Sequence, residues 1–240
     1  MVSGDDKDGK TMNLARMLIL VLLLIAGCSQ PKTRPLQSEE AAGGDWSLPY
    51  GKWSFSFITP WQLPAEVTHV RVLDTDGYLY IFRMLDQTSR DPNSVTTWTT
   101  KPHGGSVNFN LVKMPPQYMI FCWDSFIDRK TYQTNVMFSP ATWQRMKTPA
   151  NHTRPSGEPI WYHNMLFGLS PGGKVRTWFP DVGSHPAIPF TPYKISTVSG
   201  ADLTLCKQED PDSDFLRKYR YSQEIEDGMK GKTYPYGEWR

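Results

Sequence analysis

The sequence predicts a mainly β protein, an antiparallel β-sandwich or a partly open barrel with one or two short helices. Three observations carry this. About ten short segments between Trp53 and Cys206 have strand character, several of them alternating apolar and small polar residues, which is the period of a strand with one buried face. Turn sequences such as Asp74-Thr75-Asp76-Gly77 and Ser170-Pro171-Gly172-Gly173 separate them, with Gly placed for positive φ. Gly and Pro are frequent and 13% of residues are aromatic, a composition that suits short strands and turns better than a helical bundle.

In chain order, Trp53-Ser54-Phe55-Ser56-Phe57 is expected as a strand with one buried face, ended by Pro60 and Pro64. Val67 to Leu73 and Tyr78 to Met84 form a hairpin across Asp74–Gly77, with Tyr78, Tyr80, Phe82 and Met84 on one face. Asp86 to Asn93 is a polar loop, and Val95 to Thr100 and Ser106 to Val112 are weaker strands. The unbroken apolar run Met119 to Trp123 reads as a central strand. Thr131 to Phe138 follows after a turn at Asp128-Arg129. Ser139-Pro140 opens a helix, because Ser139 can cap and Pro140 suits the first helical position; it runs to about Lys147, and Pro149 stops it. Asn151 to Pro159 is loop. Trp161 to Leu169 and Lys174 to Phe179 flank Ser170–Gly173, and Asp181 to Pro192 is a long Pro-rich loop. Tyr193 to Val198 and Asp202 to Cys206 are expected as a last hairpin, and Pro211 to Gly228 is helix-compatible, with Phe215, Leu216 and Tyr219 at helical spacing.

Ahead of this domain, Arg16 and the apolar run Met17 to Ile25 lead into Ile25-Ala26-Gly27-Cys28. A basic flank, a short apolar core and small residues at the cut make a secretory signal. The core is shorter than the ~20 residues a spanning helix needs. The four residues resemble a lipobox, in which the Cys is lipidated and becomes the mature N-terminus. In the sorting pattern this resembles, Asp after the Cys means retention at the inner membrane, so Ser29 points to the outer membrane, facing the periplasm. Met1 to Thr11 is polar and acidic where such a signal should be basic, so translation is expected to start at Met12; intact mass of the precursor decides this. The expected organisation is a signal peptide over 1–27, a lipidated flexible tether over 28–45, a β domain over 46–208 and a helical or irregular tail over 209–240. The tether, rich in Pro, Gln, Ser, Glu and Ala, lacks the apolar residues to bury a core.

The formal net charge is only +2, with acids and bases interspersed, which argues against a polyanion-binding surface and so against nucleic acid. Arg217-Lys218-Tyr219-Arg220-Tyr221 mixes base and aromatic, but a solvated helix face accounts for it. With Cys28 acylated, Cys122 and Cys206 remain. An oxidising periplasm permits a disulfide between them; two buried free thiols are the other arrangement, and sequence alone does not choose.

Gly168-Leu169-Ser170-Pro171-Gly172 matches a G-x-S-x-G elbow, with Asp181 and His185 downstream in hydrolase order. The elbow needs strand, turn and helix, and an N–H on the residue after Ser for the oxyanion. Pro171 has none, and a second strand follows, so no catalytic residue is assigned. Asp74-x-Asp76-Gly77 resembles a calcium loop, but its Gly comes too early and position twelve is Leu85. His69, His103, His152, His163 and His185 show no metal-ligand spacing, so neither a metal nor a cofactor is expected. Trp98, Trp143, Trp161, Tyr234, Tyr236 and Trp239 are candidate exposed contact anchors.

Trp53 through Pro60, Leu73-Asp74-Thr75-Asp76-Gly77-Tyr78, Trp123-Asp124-Ser125 with Tyr132, and Pro171-Gly172-Gly173 with Trp178 occur in this order behind the lipobox. Together they resemble an uncharacterised bacterial lipoprotein family, domain of unknown function 2931, over roughly Trp46 to Cys206. The family carries no established catalytic residues, so none transfer. The resemblance implies an envelope lipoprotein encoded beside toxins exported by type VI secretion. It would be an immunity protein that binds a periplasm-acting antibacterial effector, such as a lipase, rather than an enzyme. A structural or glycan- or lipid-binding envelope lipoprotein is the alternative. On a rigid β scaffold recognition falls to loops, so Arg90, Asp91, Arg154, Glu158, Asp181 and His185 are the expected partner-binding residues.

Overall fold

The computed structural model describes residues 37–209, with Asp227, Lys230 and Trp239. The expected signal segment, Cys28, the expected tether up to residue 36, the helix expected from Pro211 to Gly228, Tyr234 and Tyr236 lie outside the described residues.

Two sheets pack face to face. The larger one is built from β1 (Trp53–Pro60), β4 (Ser89–Asp91), β5 (Leu111–Val112), β8 (Asn164–Ser170), β9 (Lys174–Phe179) and β10 (Ile188–Pro189). Its order is β10-β9-β8-β1-β4, with β5 also on β1. The five-stranded sheet is ordered β11-β7-β6-β2-β3, from β2 (Ala65–Asp74), β3 (Leu79–Phe82), β6 (Pro116–Ser125), β7 (Lys130–Met137) and β11 (Lys194–Ser199). This is a β-sandwich with short helices: α1 (Glu39–Ala42), α2 (Pro140–Lys147) and α3 (Leu205–Glu209).

The five-stranded sheet is antiparallel throughout. In the larger sheet β1 runs parallel to both β8 and β4. Parallel neighbours need long crossovers, and the whole five-stranded sheet except β11 is made between β1 and β8. The aromatic positions of β1, Trp53, Phe55 and Phe57, meet Phe121 and Trp123 of β6 and Phe167 of β8 in the main core. Phe57 lies 5.0 Å from Phe121 and 5.6 Å from Phe167, centroid to centroid.

The expectation of one buried face on β1 is corrected: the strand is buried along its whole length. Its outer face carries Ser54, Ser56 and Ile58, and there a second apolar cluster joins Ile58, Leu63, Leu166 and Trp178 to Trp98 and Trp239. The Val95–Thr100 and Ser106–Val112 stretches expected as strands are mostly irregular, and Trp98 of the first belongs to this cover. Within them only Leu111–Val112 pairs in a strand. Conversely, part of the expected 86–93 loop, Ser89–Asp91, pairs with Ile58–Pro60 as an edge strand.

Four local differences have local causes. The end of the expected tether is docked: Ser38 caps α1 by accepting the Ala41 amide, and Ala41 is buried in the main core. β3 stops at Phe82, leaving Tyr78 and Met84 exposed. Ser139 precedes α2 as expected, but its carbonyl rather than its side chain accepts the first helical amides. Cys206 lies on α3, not on a strand, because β11 pairs with β7 and the chain then turns through Gly200–Asp202 into the helix.

Candidate functional site

The β8–β9 hairpin decides where the candidate residues go. Ser170 pairs with Lys174 at its tip, and Leu166 with Trp178 near its base. At about 3.3 Å per residue, the five steps of β9 from Lys174 to Phe179 put roughly 17 Å between Ser170 and the approach to Asp181. The Ser170, Asp181, His185 order is therefore not assembled in space. The Ser170 hydroxyl is buried and finds no partner among the described residues. The Gly172 amide donates to Asp128 Oδ2 at 2.8 Å, on the β6–β7 turn, so it is spent on joining the two sheets.

At the base of the hairpin the two long loops meet. Asp181 Oδ1 accepts from His152 Nε2 at 3.0 Å and from the Val182 amide at 2.7 Å. Its Oδ2 accepts the Tyr162 hydroxyl at 3.4 Å. The His185 ring stacks on His152 with centroids 3.6 Å apart. Arg145, from the last turn of α2, lies over the Tyr162 ring at 4.4 Å. Burial pushes the Tyr162 phenol above its ordinary pKa, the Asp181 carboxylate adds to this, and Arg145 opposes it. An imidazole held by a carboxylate is the orienting half of a hydrolytic triad, but the residues here arrange it as a bracket. The Asp181 side chain is 3% exposed and has both oxygens engaged. It is thus corrected from a steering charge to the clasp that holds the 151–159 and 181–192 loops together.

What this clasp displays is exposed. Arg154, Glu158 and His185 all face solvent. The first loop is a small hairpin in which Thr153 bridges to Pro159 and the Arg154 amide donates to the Glu158 carbonyl at 2.9 Å. Gly157 supplies the positive φ its tip needs, 85°.

Arg90 and Asp91 are elsewhere. Arg90 pairs with Thr59 and Asn164 with Ser54, so about 17 Å of β1 separates the two registers. Arg90 is exposed, but Asp91 is fully buried: it accepts the Ser94 hydroxyl at 2.7 Å and the Asn93 amide at 3.2 Å. Asp91 is corrected to a turn-forming residue, unavailable to a partner. The aromatic anchors are corrected likewise: Trp98, Trp143 and Trp239 are buried, and Trp161 is half-buried against Tyr50. Among the described residues no group of three or more His, Cys, Asp or Glu is placed to hold a metal.

His152, Tyr162 and Arg145 are the site residues that sequence reasoning passed over. His152 lies 29 residues from Asp181, and only the hairpin between them brings the pair together. Cys122 and Cys206 are bonded, with Cα atoms 5.6 Å apart.

Comparison with known proteins gives a family match: the model described as protein of unknown function (DUF2931) matches residues 29–237. No curated protein matches, and no solved structure matches.

Proposed function

The chain belongs to the DUF2931 family, and from that premise we propose that it is an exported, lipid-anchored envelope protein that binds and neutralises a secreted antibacterial effector. The observation that carries the reading is the Cys122–Cys206 bond, since disulfides form and persist in oxidising compartments such as the periplasm. A lipidated Cys28 would hold the domain at the outer membrane, nine residues ahead of Gln37 and the capped α1. The binding half of the reading draws on the loops that Asp181 and His152 clasp. They present Arg154, Glu158 and His185 on a rigid scaffold, where preformed loops bind with little ordering cost. An effector delivered by type VI secretion, such as a lipase, is the partner the family resemblance implies.

The test is protection. The full chain is expressed in a sensitive cell whose periplasm receives the effector encoded beside it. Growth should be restored by stoichiometric amounts, while a version lacking residues up to Cys28 and kept in the cytoplasm should not protect. Failure of the exported form, together with absence of binding to that effector in solution, overturns the proposal.

A further inference from the structure

We infer that the outer face of the five-stranded sheet, at the end where α1 sits, rests on the bilayer that holds Cys28; this rests on the lipid-anchor reading above. The registers place one row of side chains across that face. Leu79 pairs with Leu73, Leu73 with Tyr118, Tyr118 with Met137, and Met137 with Lys194. Their strand neighbours Tyr80, Val72, Met119 and Val136 contribute to the core side, so by alternation the row points outward. It is apolar from Leu79 to Met137 and ends in a lysine. Leu79 is 51% exposed, Met137 42%, and the adjoining Tyr193 75%. Ile81, one step further along β3, is exposed as well.

The two halves of this outer face differ. Towards the other end, α3 covers it through the Cys122–Cys206 bond and the Gln133 Nε2 donation to Thr204 at 2.9 Å. At the α1 end an open cleft of about 280 Å³ is lined by Leu73, Tyr118, Met137, Trp143 and Tyr193.

The chain itself indicates the occupant. Gln37 Nε2 donates to the Thr75 carbonyl and the Ser38 amide to Gln117 Oε1, each at 2.6 Å. These bonds fix the root of the tether at the β2–β3 turn, beside Leu73 and Leu79. From Cys28 to Gln37 the extended chain spans at most about 30 Å. A surface tied this closely to a membrane meets it at high effective concentration, so a modest apolar patch is enough. Tyrosine at the rim and lysine at the end of the row suit the headgroup boundary. Glu39 and Glu40 flank the root, so attraction to anionic headgroups does not drive the contact. Apolar burial does, and the contact is therefore insensitive to salt. Arg154, Glu158 and His185 on the clasped loops are exposed and lie outside this row.

The experiment uses the lipidated full chain in vesicles of phosphatidylethanolamine and phosphatidylglycerol doped with acyl-brominated lipid. A bimane probe is attached at Leu79→Cys, at Tyr193→Cys, which lies outside the strands, or at Arg154→Cys as the comparison. Quenching should be at least about twofold stronger at 79 and 193 than at 154 and should persist in high salt. Acyl label on Cys28 with equally weak quenching at all three sites overturns the contact and leaves the anchor standing. Absence of acyl label removes both. Shielding of positions 79 and 193 that requires added effector makes this face a protein interface and overturns the proposal.

Discussion

Cys122 on β6 and Cys206 on α3 are joined by a disulfide that closes 84 residues of sequence, with Leu203 packed beside it. The bond pins α3 to the outer face of its sheet, and Gln133 Oε1 accepts the amides of Cys206 on that helix and of Thr204 just before it, each at 3.1 Å. A loop of this length is worth about 2–4 kcal/mol of stability, chiefly by restricting the unfolded chain. Reductant should lower the unfolding free energy of the native protein by that amount, read as a lower urea midpoint. It should leave the midpoint of a Cys122→Ser/Cys206→Ser double variant unchanged. Equal midpoints for the native protein with and without reductant would remove the bond from the account.

Gly168 is a contact rather than a turn. A Cβ at this position on β8 would stand 2.7 Å from ring carbons of both Trp98 and Trp178. These rings meet edge to face at 5.2 Å, and Trp239 closes on Trp98 at 5.4 Å. Gly168→Ala forces both indoles off the strand and should cost about 1–3 kcal/mol. The loss would appear in urea denaturation and as a changed near-ultraviolet spectrum from the tryptophans. A variant of unchanged stability would mean that the cover over β1 is loosely packed.

Asp74 carries the clearest pH dependence. Its residue is fully buried, and burial raises its pKa, opposed by the Tyr78 and Asp76 amides that donate to Oδ1 at 2.9 and 3.0 Å. With the folded pKa above the ordinary 3.8, the folded state holds more protons than the unfolded state in the window between the two values. This group's contribution is therefore fully present below 3.8 and is lost as pH rises through the folded value. Asp74→Asn keeps an oxygen for both amides and removes the buried charge. Its stability relative to the parent should rise as pH is taken from below 3.8 towards neutrality, measured by urea denaturation. A relative stability that falls over this range would mean that the carboxylate is stabilised when charged.

Much of the sandwich is legible because its signals are local. Alternation marks β2 and β9, the unbroken run Met119–Trp123 marks a strand buried on both faces, and Pro140 marks the first turn of α2. What is not legible depends on partners distant in sequence. Nothing within Trp53–Pro60 says that both its neighbours run parallel to it, or that a polar segment around Trp98 covers its outer face. Asp91 reads as a loop charge, yet a three-residue pairing with β1 takes it out of solvent. The same holds for the clasp: His152 lacks any ligand spacing, and its partner Asp181 is supplied by a hairpin that begins twelve residues later. Charge and loop length singled out both loops that the clasp joins, but they did not separate the residue that holds them from those they display.

The displayed residues give the last prediction. If the clasped loops meet the effector, Arg154 and Glu158 act at the rim, where charge steers encounter more than it fixes affinity. Charge reversal at either, Arg154→Glu or Glu158→Arg, should change the association rate by about tenfold at low ionic strength, with opposite signs for the two. The effect should fade as salt shortens the Debye length to about 8 Å near physiological strength. Dissociation should change little. Arg90→Glu, whose register on β1 lies about 17 Å by strand rise from that of Asn164, is the comparison and should leave association nearly unaltered. Asp181→Asn tests the clasp itself. It keeps the shape but weakens the hold on His152, so it should slow binding by loosening both loops, while all three surface variants keep the parent's stability. If Arg90→Glu alters association as strongly as Arg154→Glu, recognition does not sit at the clasped loops, and the far end of β1 takes their place.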